Sequence, residues 1–313
     1  MMETTTNILY LFGGVVAVLS ALTVVGEALR GRVGPGRTNP VVQTFLTRLM
    51  SWWIMVILFT ITALLGPVAL MLLFAFASFA ALREFLTFTD KRQADHLSLA
   101  LAFFVILPLQ YVFVGYDLTG LFTVFIPVYA FLLLPIVSAL RGDHNRFLSR
   151  VAETQWALMI CVYCISHVPA LLNTKPEGDS GQTVLLIVFF VMVVQIGDLM
   201  EYFAGRRFGK RRIAPSLSPK TLEGMATGIA CAAVTGALLS WITPFGIGAA
   251  AAMAALASVT GMFGNLVFAA IKRDKGVKDW SHLIPGQGGF LDQLDSAIFA
   301  APVFYHVTLL MSG

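Results

Sequence analysis

Ten apolar runs, each close to the length of a bilayer crossing, leave this chain few ways to fold. A helix that spans the ~30 Å hydrocarbon layer needs about 20 apolar residues. The runs fall at 7–29, 49–65, 67–82, 97–114, 119–140, 151–172, 183–203, 223–243, 247–271 and 297–311. Thr119 to Leu140 carries no charged residue at all. The runs 49–65 and 67–82 are separated only by Gly66-Pro67 and the last run is short, so a re-entrant or interfacial segment is the alternative there. Backbone in lipid must satisfy its own N–H and C=O groups, which leaves helices as the economical solution. The fold class expected is an all-α polytopic membrane protein of about ten transmembrane helices. Composition agrees: 58% of residues are hydrophobic and 12% charged, with mean hydropathy +0.82. A soluble domain is roughly a quarter charged.

Charge placement then orients the bundle. The net charge is +4, a balance that also suits nucleic acid, but the basic residues sit between apolar runs and not along one stripe. With alternating loops, all but one of the 21 Lys and Arg fall on one side, from Arg30, Arg32, Arg37 and Arg48 through Lys278. Only Lys175 lies opposite, in the acidic loop Asn173 to Gln182. This pattern predicts a multi-pass protein of a prokaryotic cytoplasmic membrane, with basic loops cytoplasmic, both termini outside and no nucleic-acid partner. Met1 to Asn7 lacks a basic stretch, so the first run is read as a retained span. Cys161, Cys164 and Cys231 lie inside apolar runs and imply packing, not disulfides. Trp52-Trp53 fits an interfacial belt, and His167 and Glu153 read as ordinary residues near span ends. Gly224-x-x-x-Gly228 and the Ala-rich stretch 249–257 read as close helix packing.

Within a single membrane domain, residues 1–182 read as helical scaffold and 183–313 as the catalytic region, because the two least ordinary basic loops, 204–222 and 272–296, belong to the latter. Pro285-Gly286-Gln287-Gly288-Gly289 can turn tightly and runs into an apolar helix, whose N-terminus favours anions. Asp292 and Asp295 are three residues apart and share a helical face. Carboxylates beside a phosphate-binding turn suit Mg²⁺, which completes its shell with phosphates and water. The neighbouring lysines could equally anchor anionic lipid heads. Asp198 and Glu201, three apart in an apolar run, are a second candidate pair, with neutralisation by Arg206 or Arg207 as the plain alternative.

The loop from Lys272 to Asp295 resembles the signature of the phosphatidate cytidylyltransferases, or CDP-diglyceride synthetases. That signature reads Ser-x-x-Lys-Arg, a short gap, Lys-Asp-x-Ser, then Pro-x-His-Gly-Gly-x-x-Asp-Arg-x-Asp. Lys272, Arg273, Lys278, Asp279, Ser281, Ile284, Pro285, Gly288, Gly289, Asp292 and Asp295 match with spacing intact; Ala269, Gln287 and Gln293 stand where the signature has Ser, His and Arg. Asp198 to Lys210 is similar to the family's Asp-x-x-Ala-Tyr-x-x-Gly-Arg-x-Phe-Gly-Lys, and Ser218 to Gly224 to its Ser-Pro-Lys-Lys-Thr-x-Glu-Gly, one lysine shorter. The likeness covers about residues 195–300.

The resemblance implies transfer of CMP from CTP to phosphatidate or a related lipid phosphate at the cytoplasmic face, giving CDP-diacylglycerol and pyrophosphate. It assigns Asp198, Asp279, Asp292 and Asp295 to a Mg²⁺ centre, with or without a second cation. Asp279, Asp292, Asp295 and Lys278 are the implied catalytic residues. Arg206, Lys210, Ser218, Lys220, Lys272, Arg273, Gln287, Gly288 and Gly289 are the implied substrate contacts, the glycines through backbone N–H groups. Membrane lipids are expected partners, and a homodimer is an expectation from the resemblance alone. Gln287 cannot carry the proton of a His, and Gln293 lacks the bidentate grip of an Arg. An altered member using another lipid phosphate, a non-enzymatic scaffold and a transporter are the alternatives.

Overall fold

The computed structural model describes residues 2–32, 40–174 and 181–312; Arg37, Lys175 and the middle of the Asn173–Gln182 loop lie outside them. Ten helices follow in order: α1 (Met2–Arg32), α2 (Pro40–Leu65), α3 (Pro67–Thr87), α4 (Gln93–Gly115), α5 (Thr119–Ala139), α6 (Phe147–Asn173), α7 (Gly181–Phe208), α8 (Leu222–Leu238), α9 (Ile247–Asp274) and α10 (Phe290–Ser312). All but α8 are long and apolar enough to cross a membrane, and the described residues contain no strand, only two isolated bridges in loops. The chain is an all-α polytopic membrane protein. The segments in doubt, 49–65, 67–82 and 297–311, belong to full-length helices. The run 223–243 instead divides into the 17-residue α8 and a 3-10 turn, Ser240–Ile242.

Local sequence explains the breaks. Gly66 adopts φ 103°, which a side chain resists, and Pro67 starts α3 where no N–H is needed. Helices α4, α5 and α6 each widen into one π segment, at Ala102–Ile106, Phe125–Ala130 and Met159–Cys164, beside or containing Pro108, Pro127 and Pro169. A proline cannot bond the carbonyl four residues back, so the helix relaxes or borrows a donor. Pro135 leaves the Phe131 carbonyl free, and Gln155 of α6 donates to it at 2.8 Å.

The core sits around α3, α6, α7 and α10, where Leu70, Leu82, Phe189, Phe190 and Phe304 are fully enclosed. By contrast α1, α2, α4 and α5 expose Val24, Ile54, Phe104 and Leu132, the pattern of lipid-facing helices. Helices α7 to α10 pack closely because small residues meet. A Cβ on Gly224 would stand 2.8 Å from the Glu201 carbonyl oxygen, and one on Gly228 2.7 Å from that of Gly197. Gly236 meets Ala250 and Ala254. The Gly224/Gly228 pair therefore serves packing, and Cys161, Cys164 and Cys231 are free thiols.

Candidate active site at the basic end of the bundle

Polar contacts tie the loops of one end together. Arg146 pairs with Asp90, Arg150 with Asp95 and Asp143, Lys275 of α9 with Glu153 of α6 at 2.8 Å, and Arg48 Nε of α2 donates to the Gly286 carbonyl at 2.9 Å. Loop 275–289 lies at this end, and loop 209–221 joins it because Lys220 and Lys272 both act on Asp295. Glu153 is accordingly an ion-pair partner of the second basic loop. His167 is instead enclosed, among Phe122, Tyr163 and Tyr305.

Loop 209–221 folds back over the end of α7. Ile213 donates to the Lys220 carbonyl, Leu222 to that of Arg211, and Glu223 accepts from the N–H groups of Lys210 and Arg211. Thr221 caps α8 by accepting from Gly224 N–H at 3.2 Å. Buried Ser218 accepts from Lys220 N–H, and the Lys220 ammonium turns inward to Glu201 at 2.6 Å. Lys220, not Arg206 or Arg207, is therefore the partner of Glu201; Arg206 leans on the Tyr202 hydroxyl.

Loop 275–289 begins with a Schellman cap on α9, in which Gly276 (φ 68°) donates to Arg273 and Val277 to Lys272. Trp280 is fully enclosed, stacked on Phe85 with centroids 5.2 Å apart and edged by Phe88 and Phe268. The chain then turns tightly from Ile284 to Gly288, with Gly286 at φ 74° and Gly288 at φ 97°.

At the start of α10 the two acids part company. Asp292 accepts from the N–H groups of Gly289 (2.7 Å) and Trp280 (2.9 Å) and pairs with Lys272. Asp295 accepts from Ser296 N–H at 2.8 Å, and the Ser296 hydroxyl lies against Asp198 of α7 and 2.9 Å from Asn265 Oδ1 of α9. Asn265 also donates to Asp198 at 3.2 Å. Asp295 thus faces Asp198 as a like charge, with Lys272 and Lys220 as its opposite charges. Asp198 lies about 15 Å in from Phe208, counted at 1.5 Å per residue.

Of the residues singled out in the sequence, the structure gathers Asp198, Asp295, Lys220 and Lys272. Asp292 joins them through Lys272. Asp279 is half-buried with its carboxylate unpartnered among the described residues, and Lys278, Arg273, Arg206 and Lys210 are exposed on the rim. Gly288 and Gly289 have their N–H groups bonded inside the loop, to Ile284 and Asp292. The side-chain amide of Gln287 donates to the Arg48 carbonyl at 2.8 Å, and that of Gln293 to the Gln287 carbonyl at 3.1 Å. No group of three or more His, Cys, Asp or Glu suited to a metal converges among the described residues. The donor set offered is a pair of carboxylates steered by Ser296 and Asn265, which suits an ion that takes its other ligands from phosphate and water.

Asn265, Ser296 and Glu84 escaped the sequence reading, and Arg48 entered it only as a topology marker. Each is a polar residue in or beside an apolar run, which is itself a pointer to a site.

Comparison with known proteins gives this arrangement a context. Residues 46–311 match the model of the cytidylyltransferase family. The chain is 35% identical to the uncharacterized protein YnbB of Escherichia coli, over 83% of this chain and 85% of that one. It is 31% identical to a phosphatidate cytidylyltransferase of Bacillus subtilis, over 69% of this chain and 78% of that one. Against a phosphatidate cytidylyltransferase of Brucella melitensis it is 38% identical, over 44% and 51%. With a match that runs from the first third of α2 nearly to the end of α10, the chain belongs to the cytidylyltransferase family.

Proposed function

We propose that this protein transfers CMP from CTP to a membrane lipid phosphate, phosphatidate first, releasing pyrophosphate. The observation that carries the reading is the convergence of Lys220, from loop 209–221, and Lys272, from the last turn of α9, on the Asp198/Asp295 pair at the basic end. A lipid phosphate oxygen attacks the α-phosphorus of CTP, a new P–O bond forms, and the bond to the β-phosphate breaks. Such a transfer asks the protein for positioning and charge neutralisation more than for covalent chemistry. Lys220 and Lys272 face the phosphates at the inner end of the site. The exposed Arg206, Lys210, Arg273 and Lys278 draw the nucleotide in and hold the departing pyrophosphate. Asp198 and Asp295 would hold Mg²⁺, with its remaining ligands from phosphate and water. When bound, the ion neutralises charge on the phosphates. The acyl chains remain in the bilayer while CTP arrives from the cytosol, so the basic loops face the cytoplasm.

A second reading, transfer to a different lipid phosphate, draws on Gln287 and Gln293, whose amides are engaged by protein carbonyls. One experiment tests both. Purified protein is incubated with labelled CTP, Mg²⁺ and a panel of lipid phosphates that includes phosphatidate. Formation of CDP-lipid and pyrophosphate is expected, and the favoured lipid decides between the readings. No CDP-lipid from any member of the panel would overturn the proposal.

A further inference from the structure

The anion-favouring N-terminus of α10 is filled by a side chain from the other half of the molecule. Glu84 of α3 is 4% exposed. Its carboxylate accepts from Phe290 N–H at 3.0 Å, Leu291 N–H at 2.9 Å and the Ser281 hydroxyl at 2.7 Å. No cation pairs with it among the described residues. The fit is close: a Cβ on Gly289 would come within 2.4 Å of Glu84 Oε2. The first turn of a helix offers unsatisfied N–H groups and the positive end of its dipole, so a carboxylate there is favoured electrostatically as well as by hydrogen bonds.

We infer that Glu84 is a positioning residue: an intramolecular anion that fixes the first turn of α10 and keeps substrate phosphates off it. One turn carries the consequence to the site. Phe290 and Leu291, held by Glu84, are followed directly by Asp292, which orients Lys272, and then by Asp295, which faces Asp198. Phe85 of α3 and Phe88 just beyond its end clasp Trp280 of the same loop, so the end of α3 registers both the loop and the start of α10. The phosphates of the nucleotide accordingly bind on the Lys220/Lys272 side. The kinetic part of this inference rests on the function proposed above; the structural part does not.

The test is chemical rescue. Glu84→Ala leaves a niche with three donors at a helix N-terminus, which suits a formate ion. In the variant, hydrogen exchange of the 289–292 amides should rise at least about tenfold, and formate should restore protection where chloride at equal ionic strength does not. CDP-lipid formation should fall in kcat by roughly 10², the scale of a 1 Å misplacement, with KM for CTP held within about twofold, and formate should recover part of it. Ser281→Ala, which removes one of the three donors, is a milder variant and should show the same rise in exchange and fall in kcat at reduced size, without rescue by formate, because Glu84 still fills the niche. Exchange unchanged in both variants, or a loss in Glu84→Ala that formate cannot reverse, would overturn the inference. If wild-type protein makes no CDP-lipid, the activity arm falls with the proposed function, while the exchange arm still decides the role of Glu84.

Discussion

Asp292 and Asp295 are one helical turn apart on α10, yet their surroundings assign them different work. Asp292 satisfies two backbone N–H groups and Lys272, so it builds the loop. Asp295 shares Ser296 with Asp198 and faces a like charge. Asp295→Asn should therefore abolish CDP-lipid formation, by about 10²-fold or more, and leave the melting temperature unchanged or raised, because it relieves repulsion. Asp292→Asn should lower stability by about 1–3 kcal/mol, since an amide accepts through one oxygen only and gives Lys272 no charge. Thermal unfolding beside a turnover assay separates the two; equal melting losses would refute the division. Gly289→Ala forces a Cβ against Glu84 and should resemble Asp292→Asn, whereas Gly248→Ala meets open space and should be silent in the same melt. Spacing alone placed both acids on one face. It could not separate them, because Lys272 and Asp198 arrive from α9 and α7.

Among elements, the α4–α5–α6 corner is held by one cation. Arg150 is 3% exposed and binds Asp95, Asp143 and the carbonyls of Asp143 and Asn145, while Ser138 donates to Asp95 at 3.0 Å. Arg150→Met strands the buried Asp95 carboxylate, while Asp143 keeps Arg92 and the Asn145 N–H, and should cost about 3–5 kcal/mol, seen as a large fall in melting temperature. Adding Asp95→Asn should recover part of the loss. In the connecting loop, the Asn145 N–H, then Arg150 and Arg92, hold the Asp143 carboxyl below its ordinary value of 3.8. A depressed carboxyl contributes stability above its unfolded value and loses it as pH falls through the folded one. Acid titration of wild type below about pH 4 should therefore lower the melting temperature more than in Asp143→Asn. These helices were legible as spans from their apolar runs, as Gly66-Pro67 was legible as the break between α2 and α3. The corner was not, because Asp95, Asp143 and Arg150 look like ordinary loop charges until the helices are assembled. For the same reason, reading residues 1–182 as scaffold passed over Arg48 and Glu84, which reach the signature loop from α2 and α3.

At the scale of the molecule, the distribution of Lys and Arg predicts one basic end, and the assembled loops share that end. The weak link in the alternation is α8, whose 17 residues reach about 25 Å at 1.5 Å per residue, short of a ~30 Å hydrocarbon layer. If α8 stopped within the membrane, loops 209–221 and 275–289 would lie on opposite faces, and Lys220 and Lys272 could not both face Asp295 as they do. The geometry of the site therefore requires α8 to cross, with the turn at Ser240–Ile242 completing the passage. Single cysteines report this directly, against a background of thiols that are buried or half-buried. Ser216→Cys and His282→Cys lie in the two basic loops, and Tyr116→Cys lies between α4 and α5, where Tyr116 is 77% exposed. In intact cells an impermeant maleimide should label Tyr116→Cys, and should reach the other two only after permeabilisation. Labelling of Ser216→Cys and His282→Cys from opposite sides would show that α8 does not cross, and the shared site would then fail with it.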